Sequence, residues 1–80
     1  MSYHVAAYLL INADVGHESE VQREIQAVEF VKRVDAVYGV YDLVVYLEAP
    51  NQEKLTEAIS RIRKLNHIHS TLTMFVVENK

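Results

Sequence analysis

The sequence predicts an α+β fold, a ferredoxin-like βαββαβ sandwich with two helices on one face of a four-stranded antiparallel sheet. One observation is the order of the elements, because strand-like apolar runs and two stretches of helical period alternate as β-α-β-β-α-β over a single 80-residue domain. The other is that residues 5–11, 43–47 and 72–77 are apolar on both faces of their predicted strands. Two helices cover only one side of such a sheet, so we expect a dimer that packs sheet against sheet.

The first half of the chain supplies a strand, a helix and a second strand. A strand is predicted at residues 4–12, followed by a turn in which Gly16 tolerates a positive φ. A helix is predicted at residues 17–28, whose apolar side chains recur at i, i+4 and i+7. The strand at residues 31–38 carries charged side chains, which are typical of a sheet edge.

The second half repeats this order from a tight turn onward. A strand is predicted at residues 42–49, a helix at residues 52–65 and a last strand at residues 68–78. Asn51 is a good N-cap for the helix, and Asn66 is expected to end it in the left-handed conformation. The first and third strands are the most apolar, so we place them at the centre of the sheet and the other two at its edges.

Composition narrows the possible functions. The net charge is −3 and the basic residues are scattered, which disfavours a nucleic-acid surface. The chain has no cysteine, so disulfides and thiolate metal sites are excluded. There is no secretion signal, and no apolar run approaches the roughly 20 residues that span a membrane. We therefore expect a cytoplasmic protein.

Catalytic and metal-binding patterns are weak. There is no nucleophile elbow and no glycine-rich phosphate loop, so no catalytic residue and no cofactor are predicted. His67 and His69 are two residues apart and would share a face of a strand, as a pair of metal ligands does. A third ligand is not evident, and we interpret the pair as polar residues at a helix–strand junction. His4 would approach His69 if the first and last strands pair.

The connection between the second and third strands, residues 37–43, is a candidate binding segment. Its glycine leaves backbone N–H groups open to a ligand, and Asp42 offers a charge to an amine. Together with hydroxyl groups from the last strand, these residues could bind a zwitterion. The N–H and hydroxyl groups would donate to its carboxylate, and Asp42 would bind its amine. The alternative is that Gly39 only serves the turn and that Asp42 caps it with a side-chain-to-backbone hydrogen bond.

Most of the chain resembles the ligand-binding and oligomerisation (RAM) domain of the Lrp/AsnC family of feast/famine regulators. The segment VYGVYDL at residues 37–43, with Val31 before it, resembles the family signature V…V-T-G-x-[YF]-D-[YL]. The helix with Leu55, Ile59 and Ile62 and the closing segment at residues 71–77 resemble the family's later half. The resemblance covers about residues 5–78. The chain departs from the family at Tyr38, where Thr or Ser is usual.

The resemblance implies a homodimer that assembles into rings, often octamers, and a small effector, usually an amino acid, bound between dimers. No DNA-binding helix-turn-helix segment precedes the domain in this sequence, so we expect a stand-alone module that does not bind DNA. It would modulate transcription indirectly, through homo-oligomers or through mixed oligomers with full-length regulators. The effector-binding residues that the resemblance implies are Gly39, Val40, Tyr41, Asp42, Ser70, Thr71 and Thr73.

Two other interpretations remain open. Small dimeric α+β barrels of similar element order include monooxygenases and isomerases, and Tyr8, Tyr46 and the histidines would line a cavity between the helices and the sheet of such an enzyme. A purely structural oligomerisation partner would have the same fold and no ligand.

Overall fold

The computed structural model describes residues 4–77. Its elements follow the predicted order. They are β1 Val5–Ala13, α1 Glu18–Gln26, β2 Val31–Ala36, β3 Leu43–Ala49, α2 Gln52–Arg63 and β4 Ile68–Phe75. Neither helix among these residues has the length and apolarity needed to cross a membrane.

The four strands form one antiparallel sheet in the order β2-β3-β1-β4. The two most apolar strands are central and the other two lie at the edges, which confirms the predicted arrangement. In the register, Leu9 lies between Val45 of β3 and Thr73 of β4. This alignment fixes which side chains share a face across the whole sheet.

Both helices pack on one face of the sheet. Leu9 and Ile11 of β1 are fully buried against them, as are the alternating residues Val45 and Leu47 of β3. The intervening residues of both strands point to the opposite side, as the doubled apolar pattern predicts. The helices contribute six residues to the same core, which are Val21, Ile25, Leu55, Ala58, Ile59 and Ile62.

The start of α2 is fixed by the predicted cap. The side chain of Asn51 accepts a hydrogen bond from the backbone N–H of Lys54 at 2.9 Å, which satisfies one of the free donors of the first turn. The start of α1 differs, because its N-cap residue His17 makes no capping hydrogen bond with its side chain. Gly16 just before it has a φ of +88°, as expected for that turn.

Each helix is followed by a residue with a positive φ that turns the chain into the next strand. These residues are Phe30, with a φ of +75°, and His67, with a φ of +69°. The prediction that Asn66 takes the left-handed conformation is therefore wrong by one residue. The backbone N–H of Asp14 donates to the carbonyl oxygen of His67 at 2.8 Å, so a contact with the β1–α1 loop fixes the position.

Several predicted ends extend too far. Helix α1 ends at Gln26 rather than Val28, and β2 ends at Ala36 rather than Tyr38. Val28, beyond the end of α1, belongs to a turn that still packs on the core, whereas Val37 and Tyr38, beyond the end of β2, are exposed. Apolar period alone does not mark where backbone hydrogen bonding stops. The last strand ends at Phe75, earlier than predicted, and the predicted end, residue 78, lies outside the described residues.

Candidate ligand-binding site at the β2–β3 loop

The β2–β3 loop, residues 37–42, is closed at its base by backbone hydrogen bonds. The N–H of Val37 donates to the carbonyl oxygen of Asp42 at 2.8 Å, and the N–H of Asp42 donates to the carbonyl oxygen of Ile11 at 2.9 Å. The loop therefore joins the edge strand β2 to the central strand β3 and is also bonded at its base to the central strand β1.

The carboxylate of Asp42 contacts the neighbouring strand. Its Oδ2 accepts a hydrogen bond from the backbone N–H of Ala13 at 3.0 Å, at the point where β1 shifts register against β4. The side chain is half-buried. The alternative to ligand binding was that the side chain of Asp42 caps its own turn with a hydrogen bond to the backbone. The observed bond is of that type, but it joins Asp42 to β1 and not to the turn. Since the contact engages Oδ2, the geometry leaves Oδ1 as an acceptor for a ligand.

The tip of the loop offers backbone donors. None of the hydrogen bonds within residues 4–77 involves a backbone N–H of Tyr38, Gly39, Val40 or Tyr41. Gly39 has a φ of +156°, and a Cβ built on it would meet no atom within 4 Å. The side chain of Val40 is 83% exposed and that of Tyr38 is fully exposed. Free N–H groups beside a carboxylate are complementary to the carboxylate and ammonium groups of a zwitterion.

The structure divides the three predicted hydroxyl residues of β4 between the two faces of the sheet. Thr71 and Thr73 lie opposite Ile11 and Leu9, on the helix side, whereas Ser70 lies opposite Asn12. The strand period of two explains this division, because residues 70 and 73 cannot share a face of a regular strand. Within one subunit the hydroxyl groups therefore do not form one cluster.

Sequence reasoning missed two polar partners of these hydroxyl groups. Asn12 donates from Nδ2 to Oγ of Ser70 at 3.3 Å, and Arg63 donates from Nη2 to Oγ1 of Thr73 at 2.6 Å. The signal for Asn12 is its place as the first polar residue after the apolar run of β1. Because Ile11 lies opposite Leu43, Asn12 stands between Asp42 and Ser70 across the sheet.

The side of the sheet without helices, here called the open face, is apolar along its middle. Tyr8 and Tyr46 contact each other with ring centroids 5.0 Å apart. Tyr8, Leu72 and Met74 are 42%, 46% and 45% exposed, which is high for large apolar side chains of a sheet. Charged residues border this strip on the β2 side, where Arg33 Nε lies 2.8 Å from Asp35 Oδ2. The two tyrosines and this ion pair line a shallow depression of about 430 Å³.

The phenol of Tyr46 is the group on the open face with a shifted pKa. Burial raises the pKa of Tyr46 above 10.0, and the carboxylate of Glu48, which accepts its hydrogen bond at 3.2 Å, raises it further. The folded-state pKa is thus above the unfolded one, so stability is lost as pH rises from the unfolded pKa through the folded one. We expect Glu48→Gln to lower the pKa of Tyr46, measured by ultraviolet titration of the phenolate with Tyr46→Phe as the blank. An unchanged pKa in Glu48→Gln would contradict the contact.

The tyrosines do not lie where a barrel enzyme would use them. Tyr8 and Tyr46 are on the open face, whereas Ile25, Ile59 and Ile62 are buried between the helices and the sheet. The expectation that these tyrosines line a cavity in that layer is wrong. Bulky aliphatic side chains on both helices pack that layer instead.

The histidines are also arranged differently from the sequence-based expectation. Because β1 and β4 are antiparallel, with Asn12 opposite Ser70, His4 lies at the far end of β1 from His69, and their predicted proximity is wrong. His67 and His69 both approach Asp14, at 3.4 and 4.0 Å. His67 also stacks on His17 of the β1–α1 connection, a contact between loops that spacing along the chain does not reveal.

The sheet, both helices and the β2–β3 loop fall within the range matched by one known family. The model of the Lrp/AsnC ligand binding domain matches residues 6–80. This chain belongs to that family. The Lrp/AsnC domain is a regulatory, ligand-binding module, and the family match runs through the whole sheet and both helices.

Individual relatives place the Lrp/AsnC domain in different contexts. This chain is 27% identical over 78 residues to the HTH-type transcriptional regulator FL11 of Pyrococcus furiosus, and the match covers 98% of this chain and 52% of the regulator. It is 29% identical over 76 residues to homocitrate synthase of Sulfolobus acidocaldarius, covering 94% of this chain and 16% of the synthase. The crystal structure of FFRP-DM1 superposes with a TM-score of 0.86 at 36% identity, over 91% of this chain and 99% of that one. The chain thus spans about half the length of the regulator that it matches.

Proposed function

We propose that this chain is an amino-acid-sensing and oligomerisation module that acts by binding and not by catalysis. The observation that carries the proposal is the β2–β3 loop. Its tip presents N–H groups of Gly39 and its neighbours, and its base fixes the carboxylate of Asp42 against β1. A free α-amino acid has the two charges that these groups complement.

In the proposed complex, the N–H groups of the loop donate to the α-carboxylate and Asp42 Oδ1 accepts from the α-amine. Asp42 Oδ2 stays on the N–H of Ala13, so binding requires no rearrangement of the sheet. Preorganised charged hydrogen bonds of this kind are stronger than neutral ones and cost little ordering entropy.

One subunit supplies only part of such a pocket. Tyr38 and Val40 at the loop tip are exposed, and Ser70 lies on the other face from Thr71 and Thr73. We therefore place the effector between two dimers, with hydroxyl groups of a neighbouring subunit closing the pocket. Dimers joined around such sites form a ring, and an octamer is the assembly that we propose.

The dimer itself is proposed to form through the open face. The apolar strip with Tyr8, Leu72 and Met74 would leave a large apolar area in contact with water if the subunit were alone. In a two-fold dimer, the strip of one subunit would pack against the same strip of the other. At about 25 cal/mol per Å² of apolar area removed from water, covering the strip is worth several kcal/mol. A domain of this size has a modest core and benefits from that contribution.

Regulation of transcription is the proposed biological role. The chain matches 52% of a transcriptional regulator and 16% of a synthase, which supports a module that occurs in different proteins. We propose that it works in the cytoplasm in homo-oligomers or in mixed oligomers with full-length regulators. With 8 basic and 11 acidic residues, it is not expected to bind DNA itself.

Thermal unfolding in the presence of each of the common amino acids tests the binding site. We expect one or a few of them to raise the melting temperature by mass action. In Asp42→Asn this rise should be lost, because the amide still accepts the hydrogen bond from Ala13 but no longer attracts an ammonium group. Glu57→Gln, which removes an exposed carboxylate of α2 away from the loop and the open face, is the matched control and should keep the response.

A response that survives in Asp42→Asn would contradict the site. Failure of every amino acid to shift the melting temperature would contradict amino-acid sensing and favour a purely structural oligomerisation partner. Light scattering with and without amino acids separates these two functions, because the sensing function predicts a change in the population of assemblies.

A further inference from the structure

A cluster of two imidazoles and two carboxylates lies at the junction of the β1–α1 and α2–β4 connections. His17 and His67 stack with ring centroids 3.6 Å apart and planes 9° from parallel. His17 Nδ1 lies 3.5 Å from Glu20 Oε1, and His67 Nε2 lies 3.9 Å from Glu20 Oε2. The ligand atoms of these three side chains lie within 4.8 Å of one another.

From this geometry we propose that His17, Glu20 and His67 bind a divalent transition-metal ion of the Zn²⁺ class. Two imidazoles and one carboxylate suit Zn²⁺ or Co²⁺ rather than Mg²⁺ or Ca²⁺, which prefer oxygen ligands. Bonds of about 2.0–2.1 Å to a tetrahedral ion place its ligand atoms about 3.3 Å apart. The two measured separations, 3.5 and 3.9 Å, go to different oxygens of Glu20. Because a metal ion lies in the plane of the imidazole that binds it, one of the two stacked rings must turn out of the stack to reach the ion. Both imidazoles are partly exposed, which leaves room for that rotation.

A fourth residue orients one of the ligands. Asp14 Oδ2 lies 3.4 Å from His67 Nδ1, so that carboxylate can accept the proton of Nδ1 and leave Nε2 for the ion. Carboxylate–histidine pairs of this kind fix the tautomer and ring orientation of metal ligands. Asp14 is therefore a positioning residue for the proposed site.

The charge of the cluster also favours a cation. With neutral imidazoles, Asp14 and Glu20 give the cluster a net charge of −2, which a divalent ion balances. The dipole of α1 places the equivalent of about half a positive charge at its N-terminus, which disfavours a cation there. That effect is smaller than the attraction by the two carboxylates. Glu18 adds a further negative charge in the same turn.

A bound ion would link the β1–α1 and α2–β4 connections. In the described residues, one backbone hydrogen bond joins these connections, from the N–H of Asp14 to the carbonyl oxygen of His67. His17 and Glu20 lie three residues apart on one side of α1, and His67 is held with a φ of +69° on the far connection. A bound ion would thus fix the start of α1 to the entry of β4. Three protein ligands leave the fourth position of a tetrahedral ion to water or to another group.

The test is calorimetric titration of the full, tag-free, metal-stripped chain with Zn²⁺, together with the visible spectrum of the Co²⁺ form. We expect one ion per chain, tetrahedral Co²⁺ bands, and a melting temperature about 10 °C higher at free Zn²⁺ a hundredfold above Kd. His17→Gln, Glu20→Gln and His67→Asn should each abolish the Co²⁺ bands. Asparagine at position 67 tolerates the left-handed backbone, so that variant is expected to fold. Asp14→Asn should weaken Zn²⁺ about 10–100-fold.

His4→Gln is the matched control, since it removes a histidine outside the cluster, and should bind Zn²⁺ as the unaltered chain does. Absence of binding by both ions would overturn the proposal. Binding that is unchanged in His17→Gln, or lost only in His69→Gln, would overturn it as well, because the ion would then sit elsewhere. These outcomes do not depend on amino-acid binding, which Asp42→Asn tests separately.

Discussion

Leu72→Lys is expected to convert the assembly into folded monomers. Leu72 is 46% exposed in the single subunit, so a lysine there keeps its ammonium group in water and does not disturb the core. In the proposed dimer the same side chain is buried against the partner. Full burial of a leucine is worth about 1.5–3 kcal/mol, and the dimer buries the remaining half of Leu72 in each of two copies, so this loss raises the dimer Kd by about 10–100-fold. Placing two ammonium groups in the apolar interface raises it further.

Sedimentation velocity measures this change, and circular dichroism checks that the variant is folded. Gln26→Lys is the matched control, because it adds the same charge at an exposed position of α1, on the helix side of the sheet. We expect that variant to sediment as the unaltered chain does. Equal association of Leu72→Lys and the unaltered chain would contradict dimerisation through the open face.

Ile62→Ala is expected to cause the largest loss of stability within the subunit. Ile62 is fully buried in the layer between α2 and the sheet, where its removal leaves a cavity. Truncations of this kind cost about 2–5 kcal/mol, a large part of the stability of a small domain.

Urea unfolding at one fixed protein concentration measures the loss, since association also contributes to stability. Arg61→Ala on the exposed side of the same helix is the control and should change the free energy of unfolding by less than about 0.5 kcal/mol. A loss in Ile62→Ala no larger than that of the control would show that the core is not packed as described.

The architecture was predictable because its signal is periodic. The alternation of Leu9 and Leu10, and of Val44 and Val45, assigns side chains to two faces of the sheet, and both faces are apolar. The excess of apolar residues on β1 and β3 likewise predicted which strands are central. These features depend on local sequence, and the structure confirms them.

The candidate sites depend on contacts between distant parts of the chain, and sequence predicts these poorly. The bond between Asp42 and Ala13 spans 29 residues, and no spacing rule links the two positions. The stack of His17 on His67 requires both loops to close at the same end of the sheet. The division of Ser70 from Thr73 was predictable from strand period, but the resemblance to the family grouped them as one set.

The central claim is that the apolar strip on the open face is covered by a second copy of the chain. Sedimentation equilibrium of the unaltered protein over a wide concentration range tests it most directly. We predict masses that are even multiples of 9.2 kDa, with a dimer persisting at the lowest concentrations. A single species of 9.2 kDa that stays folded at the highest concentration would contradict the claim and leave the site between dimers without a structural basis.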